Sequence, residues 1–369
     1  MNRRTFVTGA ATTAAVLAAA AGGFVLWARA GMGEWRDAVE TIRRPIAPGI
    51  SGQEALEELV RFATLAANSH NTQAWRFALG DGVITILPDF TRRTPIVDPD
   101  DHHLFASMGA ATENIVQAAP ILGLAAESRF DPDGDGSVII DLREGETVTT
   151  PMAAAIAKRQ CTRGLYDGRA IPEADLQTLS AAGSGGGVDV LLLTERPAID
   201  AVAALVIDGD TVQMNDSAFV DELKHWLRFS YAEALSTADG LFSATSGNPV
   251  LPAPIGRAFF GLFVSADSEN KKYRAQIASS PGLAVFVSEQ NDKAHWIAAG
   301  RAYQRFALQA TALGIRHAFL NQAVEVPEVR QRLSAHLGLG ERRPDLIVRI
   351  GYGAEMPWSL RRPVADLLA

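Results

Sequence analysis

Residues 109–124 read GAATENIVQAAPILGL, and residues 300–315 read GRAYQRFALQATALGI. Six positions of the first stretch recur in the second at one constant offset. The matched pairs are Gly109 and Gly300, Ala111 and Ala302, Ala119 and Ala310, Leu122 and Leu313, Gly123 and Gly314, and Leu124 and Ile315. We interpret the two copies as helices over 104–124 and 296–315. The repeat predicts two related halves in one polypeptide.

The residues with binding chemistry are not repeated with these helices. The segment Ser69–Trp75, SHNTQAW, lies in the first half, whereas the corresponding place in the second half holds the glycine-rich run 183–187. The segment 159–163, RQCTR, and the pair 361–362, RR, lie in the second half. This division predicts one composite site across a pseudo-twofold interface, with the symmetry-related site lost.

The composition indicates an ordinary globular protein. The chain has 369 residues, of which 47% are hydrophobic and 21% charged, so it can bury a sizeable core. A net charge of −8 and the lack of a basic stripe with interleaved aromatics argue against a nucleic-acid partner. The single cysteine excludes an intrachain disulfide, and no Cys/His spacing suggests structural zinc.

The N-terminus has the pattern of a targeting signal. Arg3 and Arg4 precede an uncharged, alanine-rich run from Gly9 to Trp27, a pattern typical of a twin-arginine (Tat) export signal. Residues 28–30, ARA, fit a signal-peptidase site, but the apolar run 9–27 is also long enough to stay as a membrane anchor. We therefore expect contact with the Tat translocase and a location in the periplasm or on the outer face of the cytoplasmic membrane. Both the cleaved and the anchored form remain open.

Composition shifts divide the rest of the chain. Residues 31–50 are interpreted as a linker, 51–150 as the first half and 151–369 as the second half. Ser51 and Glu54 fit a capping box at a helix start. The patterns predict strands at 76–79, 83–87, 138–142, 283–287 and 346–350, and further helices at 151–159, 217–235 and 327–337. A Gly- and Pro-punctuated stretch at 237–261 is interpreted as a lid loop.

Taken in order, these motifs resemble the FMN-dependent nitroreductase family, especially its fused, Acg-like branch. The resemblance covers most of residues 47–369. It rests on the Ser-x-x-Asn-x-Gln-x-Trp loop, the Arg-x-x-x-Arg pair, the repeated Gly-Ala helices and the end of the chain from Gly351 through Pro363. It implies an α+β, nitroreductase-like fold with a mainly antiparallel central sheet flanked by helices. The two half-repeats would form an intrachain pseudo-dimer with one FMN at their interface.

The resemblance and the side-chain chemistry assign the same residues to cofactor binding. Guanidinium forks bind phosphate bidentately, and amide side chains suit ribityl hydroxyls or the edge of a flavin ring. Cys161 stands where the family usually has Ser, and Ala74 where it usually has Pro, which leaves that loop less rigid. The alternatives are solvated or acid-paired arginines and a plain turn at the Asn. The predicted cofactor-binding residues are Ser69, Asn71, Gln73, Arg159, Cys161, Arg163, Arg361 and Arg362.

The resemblance implies two-electron transfer at the flavin, from a reduced small-molecule donor to a nitroaromatic or quinone acceptor. No catalytic side chain is assigned, because the flavin carries the chemistry. The alternative is a protein of the same fold that sequesters or stores FMN without turnover, which suits export to a compartment poor in nicotinamide donors. A third interpretation is a scaffold without flavin that serves as an interaction module.

A metal site is not expected. Asp98, Asp100 and Asp101 precede His102 and His103, but neighbouring histidines are expected to point apart on a helix or strand. The run 131–136, DPDGDG, opens like a calcium loop, yet its twelfth position is leucine instead of glutamate. We interpret that run as a turn.

Overall fold

The computed structural model describes residue 23 and residues 27–47 and 49–369. Most of the predicted signal at 1–30 lies outside these residues. Within the described part of the chain, no helix is both long and apolar enough to cross a bilayer. The export signal and the anchor therefore stay predictions.

The first half consists of three helices and four strands. Their bounds are α1 Met32–Arg43, α2 Gly52–Thr64, β1 Trp75–Gly80, β2 Val83–Pro88, α3 His102–Ala118, β3 Leu124–Asp131 and β4 Ser137–Glu144. All four strands lie in one sheet of order β1-β2-β4-β3, and every pairing is antiparallel. The turn predicted at 131–136 connects β3 to β4.

The second half repeats this plan with additions. Its helices are α4 Pro151–Ala155, α5 Glu173–Gly183, α6 Arg196–Asn215, α7 Ser217–Trp226, α8 Tyr231–Thr237, α9 Ala253–Phe263, α10 Ala266–Ala278, α11 Lys293–Ala312, α12 Gln322–Glu325 and α13 Pro327–His336. Its strands are β5 Val188–Leu193, β6 Leu227–Arg228, β7 Leu241–Phe242, β8 Gly282–Ser288, β9 Arg316–Phe319 and β10 Arg343–Gly351. The main sheet has the order β5-β8-β10-β9 and is again antiparallel throughout.

The two sheets have the same topology. Strands β5, β8, β9 and β10 follow helices α5 and α11 in the way that β1 to β4 follow α2 and α3, and the spatial order is the same. The predicted α+β fold of two fused halves is confirmed. The predicted central antiparallel sheet is two separate antiparallel sheets, one in each half. Between β5 and β8 the second half inserts residues 194–281, where the first half has only the turn Asp81-Gly82.

The repeated helices α3 and α11 form the contact between the halves. A Cβ built on Gly109 would stand 2.0 Å from the Ile297 carbonyl oxygen, and one built on Gly300 would stand 1.8 Å from that of Ala106. Equivalent glycines thus let each helix approach the backbone of the other, which no residue with a side chain permits. The repeat is therefore the contact surface of a pseudo-twofold pair.

The core of the second half is layered. Every residue of β8 and β10 is buried, because both faces of the sheet are covered. Phe286 packs with residues of α5 and α11 on one face, and Val285 and Val287 pack with residues of α6, α12 and α13 on the other. This alternation follows the two-residue period of a strand.

Four predictions of local structure are wrong. Residues 31–50 are not a plain linker, because Met32–Arg43 form the helix α1. The helix expected over 217–235 is broken at 227–230, since Leu227 pairs with β7 and the Ser230 side chain accepts from the Glu233 N–H to start α8. Ser51 is the N-cap of α2, but its side chain makes no capping hydrogen bond. The stretch 237–261 is not a plain loop, because it holds β7, a 3₁₀ turn and most of α9.

Candidate functional site

A cavity of about 300 Å³ lies where the two halves and the inserted segment meet. This volume is within the range of small-molecule sites. Its polar wall includes Ser69, His70, Arg163, Asn321, Gln322 and Glu325, and its apolar wall includes Phe219, Phe229, Leu241, Phe259 and Phe260. The apolar wall comes from the inserted residues 194–281, which have no counterpart in the first half.

The predicted loop after α2 is strained. His70, Asn71 and Gln73 have φ values of 45°, 55° and 54°, in the left-handed region that residues with a Cβ rarely adopt. Such a conformation costs about 1–3 kcal/mol per residue and persists only where the surroundings enforce it. Strain of this kind clusters at functional sites, which supports the prediction that this loop is part of a binding site.

The amides of the loop hold other chain segments in place. The Asn71 amide nitrogen donates to the Gly240 and Leu360 carbonyls at 3.1 and 3.3 Å. Gln73 donates to the Ala238 carbonyl at 2.9 Å and accepts from the Arg362 backbone N–H at 2.8 Å. Both residues are buried and neither lines the cavity. The structure gives their amides backbone partners, and their contact with a cofactor stays a prediction.

Two backbone contacts between distant segments bring Arg159 and Arg361 together. The C-terminal tail reaches the first half, where the Phe77 N–H donates to the Leu367 carbonyl at 2.8 Å. The segment 159–163 runs beside β9, where the Thr162 N–H donates to the His317 carbonyl at 2.9 Å. Arg361 and Arg159 thereby approach the end of α2 from two sides.

Arg159 and Arg361 are buried against carbonyl oxygens. Arg159 donates to the Leu65 carbonyl at 2.8 Å. Arg361 donates to the Thr64 and Ala66 carbonyls and, at 2.8 Å, to the Asn71 side-chain oxygen. Neither guanidinium has a carboxylate within salt-bridge distance among residues 27–47 and 49–369. No carboxylate among the described residues therefore neutralises their positive charges.

A third arginine joins them from the segment interpreted as a linker. Arg43 ends α1, donates to the Ala157 carbonyl at 2.8 Å and lies over the Trp358 ring at 4.0 Å. Burial, and then the charges of Arg361 and Arg159, lower its pKa well below the ordinary value. Nothing in the local sequence marks this residue, since its neighbours come from distant parts of the chain. We call Arg43, Arg159 and Arg361 the arginine cluster.

The arginine cluster is suited to an anion. A buried charge is costly unless it is paired and hydrogen-bonded. The Nε atoms of Arg43 and Arg159 are buried and have no hydrogen-bond partner within the described part of the chain. A phosphate group supplies several oxygens to such donors and offsets the clustered positive charge.

The other predicted residues are dispersed. Arg163 is half-buried, lines the cavity and makes no ion pair with a described residue, while Ser69 lines the same wall. Cys161 lies between cluster and cavity, because its sulfur is 3.7 Å from Arg159 Nη1 and 3.8 Å from the hydroxyl of Tyr303, a cavity residue. Arg362 donates to the Asp366 carbonyl at 2.9 Å and is not part of the cluster.

The expectation that His102 and His103 point apart is wrong. Their rings meet with the two Nδ1 atoms 3.1 Å apart, at the first turn of α3. With Asp98 they form a group whose potential ligand atoms lie within 4.8 Å of one another. The Asp98 carboxylate, however, accepts the backbone N–H groups of His103 and Leu104 at 3.0 Å, which orders the helix start.

The arginine cluster predicts a pH dependence of anion binding. Burial, followed by the charge of Arg159, lowers the pKa of Arg361 to about 9. Because the anion needs the charged form, affinity for inorganic phosphate should fall about tenfold per pH unit above pH 9. Calorimetric titration at rising pH measures this, and Arg361→Gln should remove the part of the dependence that begins near pH 9. Constant affinity between about pH 8 and 10 would contradict it.

Comparisons with known proteins agree with this architecture. No family model matches the chain. The sequence is 25% identical over 329 residues to "Putative NAD(P)H nitroreductase Rv3131" of Mycobacterium tuberculosis, covering 85% of this chain and 91% of the relative. It is 24% identical over 329 residues to "Putative NAD(P)H nitroreductase acg" of the same organism, covering 85% and 95%. The similarity spans both halves, so the chain has a nitroreductase-like α+β fold.

Solved nitroreductases align with part of the chain. The FMN-dependent nitroreductase NfnB from Mycobacterium smegmatis, in complex with NADPH, is 15% identical and covers 59% of this chain and 97% of its own, with a TM-score of 0.39. A nitroreductase with bound FMN from Desulfitobacterium hafniense is 15% identical and covers 60% and 98%, with a TM-score of 0.38.

Proposed function

We propose that the chain binds one FMN in the composite site and is a nitroreductase-like two-electron oxidoreductase. The observation that carries this proposal is the arginine cluster, three guanidinium groups without a salt-bridge partner among the described residues, which Cys161 connects to the cavity shared by both halves. The phosphate of FMN would be held by Arg43, Arg159 and Arg361. FMN, when bound, supplies the hydride chemistry.

The cavity fits the ring system of a flavin. A flavin has an apolar benzenoid end and a polar edge with hydrogen-bond donors and acceptors. Phe229 and Phe260 offer the apolar surface. His70 and Gln322 line the cavity, and the His70 Nδ1 and the Gln322 side-chain oxygen are buried with no hydrogen-bond partner among the described residues. These atoms would orient the polar edge, and Arg163 would face negative charge that develops during reduction.

The donor and acceptor follow from chemistry and from the relatives. The relatives are named NAD(P)H nitroreductases, which supports NADH or NADPH as the donor. The apolar wall suits a flat aromatic acceptor, and we propose a nitroaromatic or a quinone. Phe219 and Leu223 on α7 would exclude water from that acceptor.

FMN sequestration is the second candidate function. It is favoured by the inserted segment, since α9 walls the cavity through Phe259 and Phe260 and would limit access of a large nicotinamide donor. Stopped-flow absorbance with NADPH and with dithionite separates the two functions. An oxidoreductase is reduced by both and is then reoxidised by a quinone, whereas a storage protein is reduced only by dithionite. A chain that binds no FMN contradicts both.

We further propose export by the Tat route and attachment to the outer face of the cytoplasmic membrane. The apolar run 9–27 motivates this, and the exposed face of α9, formed by Ile255, Phe259, Leu262 and Phe263, supports it. Helices α1 and α9 both adjoin α8, because Trp35 packs on Tyr231 with ring centroids 5.5 Å apart and Arg257 pairs with Glu233. The exposed face of α9 thus lies in the same region of the described fold as α1, the helix that follows the predicted anchor in the sequence.

Cell fractionation tests the location. The full chain should sediment with membranes, and a chain lacking residues 1–30 should lose most of that association because it lacks the apolar run. The control is the Arg3→Lys/Arg4→Lys variant, which keeps both positive charges and should accumulate in the cytoplasm because it lacks the twin arginines. Equal membrane association of the full and shortened chains would exclude the anchor.

A further inference from the structure

A continuous row of four side chains, of which Asp345, His102 and His103 are buried and Glu325 is partly exposed, runs from the core of the second sheet to the cavity. The Asp345 carboxylate is 2.9 Å from His102 Nε2, and His102 Nδ1 is 3.1 Å from His103 Nδ1. His103 Nε2 is in turn 3.2 Å from Glu325 Oε1. His103 and Glu325 line the cavity, whereas Asp345 and His102 are fully enclosed. We call these four residues the histidine row.

The distances determine how many protons the histidine row holds. Each Nε2 faces a carboxylate, and such a contact is favourable when the nitrogen carries a hydrogen to donate. If each ring held one proton, at Nε2, the two Nδ1 atoms would face each other with lone pairs at 3.1 Å. One further proton turns one Nδ1 into a donor and the other into its acceptor, so every contact becomes a hydrogen bond.

The surrounding charges favour that proton on His103. Burial disfavours its charged form, but the Glu325 hydrogen bond and the Asp98 carboxylate outweigh it and raise the His103 pKa. Burial and the charge of Arg343 instead lower the pKa of His102 well below the ordinary value. The charged and titratable groups around the row are Asp98, Asp100, Arg330 and Arg343 beside the rings, and His70, Arg163 and Asp210 beside Glu325.

We propose that the histidine row stores one proton and delivers it through Glu325 to the acceptor in the cavity. This inference rests on the proposed oxidoreductase function. A quinone that receives a hydride from the reduced cofactor needs one proton to become a hydroquinone. A nitro group that receives a hydride likewise needs one proton to become a nitroso group and release water. His103 passes its proton to the Glu325 carboxylate, and Glu325 donates it to the acceptor oxygen. Both imidazole rings are then neutral, and the row regains its proton from water.

The stored proton is tested first without any cofactor. In flavin-free protein, ¹⁵N NMR of the imidazoles should show His103 protonated above pH 6.5 and a proton shared between the two Nδ1 atoms. His103→Gln should remove both signals, and the exposed His336→Gln should leave them unchanged. Two neutral rings that titrate independently would overturn the proposal, and so would one equivalent of bound metal found by elemental analysis and removed by a chelator.

Delivery is tested with FMN-loaded protein. Glu325→Gln keeps the shape and cannot release a proton, so reoxidation by a quinone should slow about a hundredfold and lose its pH dependence. Reduction of FMN by the donor should slow much less than reoxidation, because the hydride that the donor supplies needs no proton from Glu325. Unchanged reoxidation in Glu325→Gln would overturn delivery, whereas failure to bind FMN at all would refute the proposed function and leave the NMR result standing.

Discussion

Gly300→Ala should lower the free energy of unfolding by about 3 kcal/mol, among the largest effects of adding one methyl group to this chain. The new Cβ would stand 1.8 Å from the Ala106 carbonyl oxygen, and that oxygen belongs to a helix backbone that cannot rotate away. The helices α3 and α11 must therefore separate, which loosens the contact between the halves. Urea unfolding followed by tryptophan fluorescence measures the change.

The matched control is another helical glycine. A Cβ built on Gly261 in α9 meets nothing within 4 Å, and its φ is compatible with any residue. Gly261→Ala should therefore be neutral or slightly stabilising, by up to about 1 kcal/mol, through helix propensity alone. Similar losses in both variants would mean that the close approach of α3 and α11 is not what requires glycine. Gly109→Ala should behave like Gly300→Ala, because the two positions are equivalent.

Arg159→Met should change FMN affinity and the stability of the ligand-free protein in opposite directions. Loss of a charge-assisted contact should weaken FMN binding by about 1.5–3 kcal/mol, or roughly ten- to a hundredfold. Without ligand, the same change removes a buried and uncompensated charge, so the free energy of unfolding should stay equal or rise. Fluorescence titration with FMN and thermal unfolding of the ligand-free protein measure the two effects.

Arg332→Met is the comparison for this variant. Arg332 lies on the surface and pairs with Asp208 at 2.7 Å, and neither residue lines the cavity, so its loss should leave FMN affinity unchanged. If Arg159→Met instead destabilised the ligand-free protein and bound FMN normally, the arginine cluster would be a structural brace. That result would remove the observation on which the proposed function rests.

Much of the architecture follows from local sequence. The small residues around Gly109 and Gly300 predict the two helices, and their recurrence predicts the duplicated plan because one pattern folds the same way twice. The turn at Asp81-Gly82 and the strands beside it were also predictable from turn chemistry and alternation. These features depend on neighbours in the chain.

The composition of the site was less predictable, because it depends on contacts between distant segments. Arg43 belongs to a stretch without motif, and only the fold places it beside Arg159 and Arg361. The amides of Asn71 and Gln73 are predicted as ligand contacts, but backbone carbonyls of the inserted segment and the tail take their hydrogens. The histidine row was missed because a helix start allows the rings of His102 and His103 to meet.

The most direct test of a single composite site is the flavin content of the protein without its first 30 residues, purified from the cytoplasm. Absorption spectroscopy, heat release and identification of the released flavin give the stoichiometry. The asymmetry between Ser69–Trp75 and the glycine-rich run at 183–187 predicts one FMN per chain. Two FMN per chain would show that the symmetry-related site survives, and a colourless protein that takes up no added FMN would contradict the account.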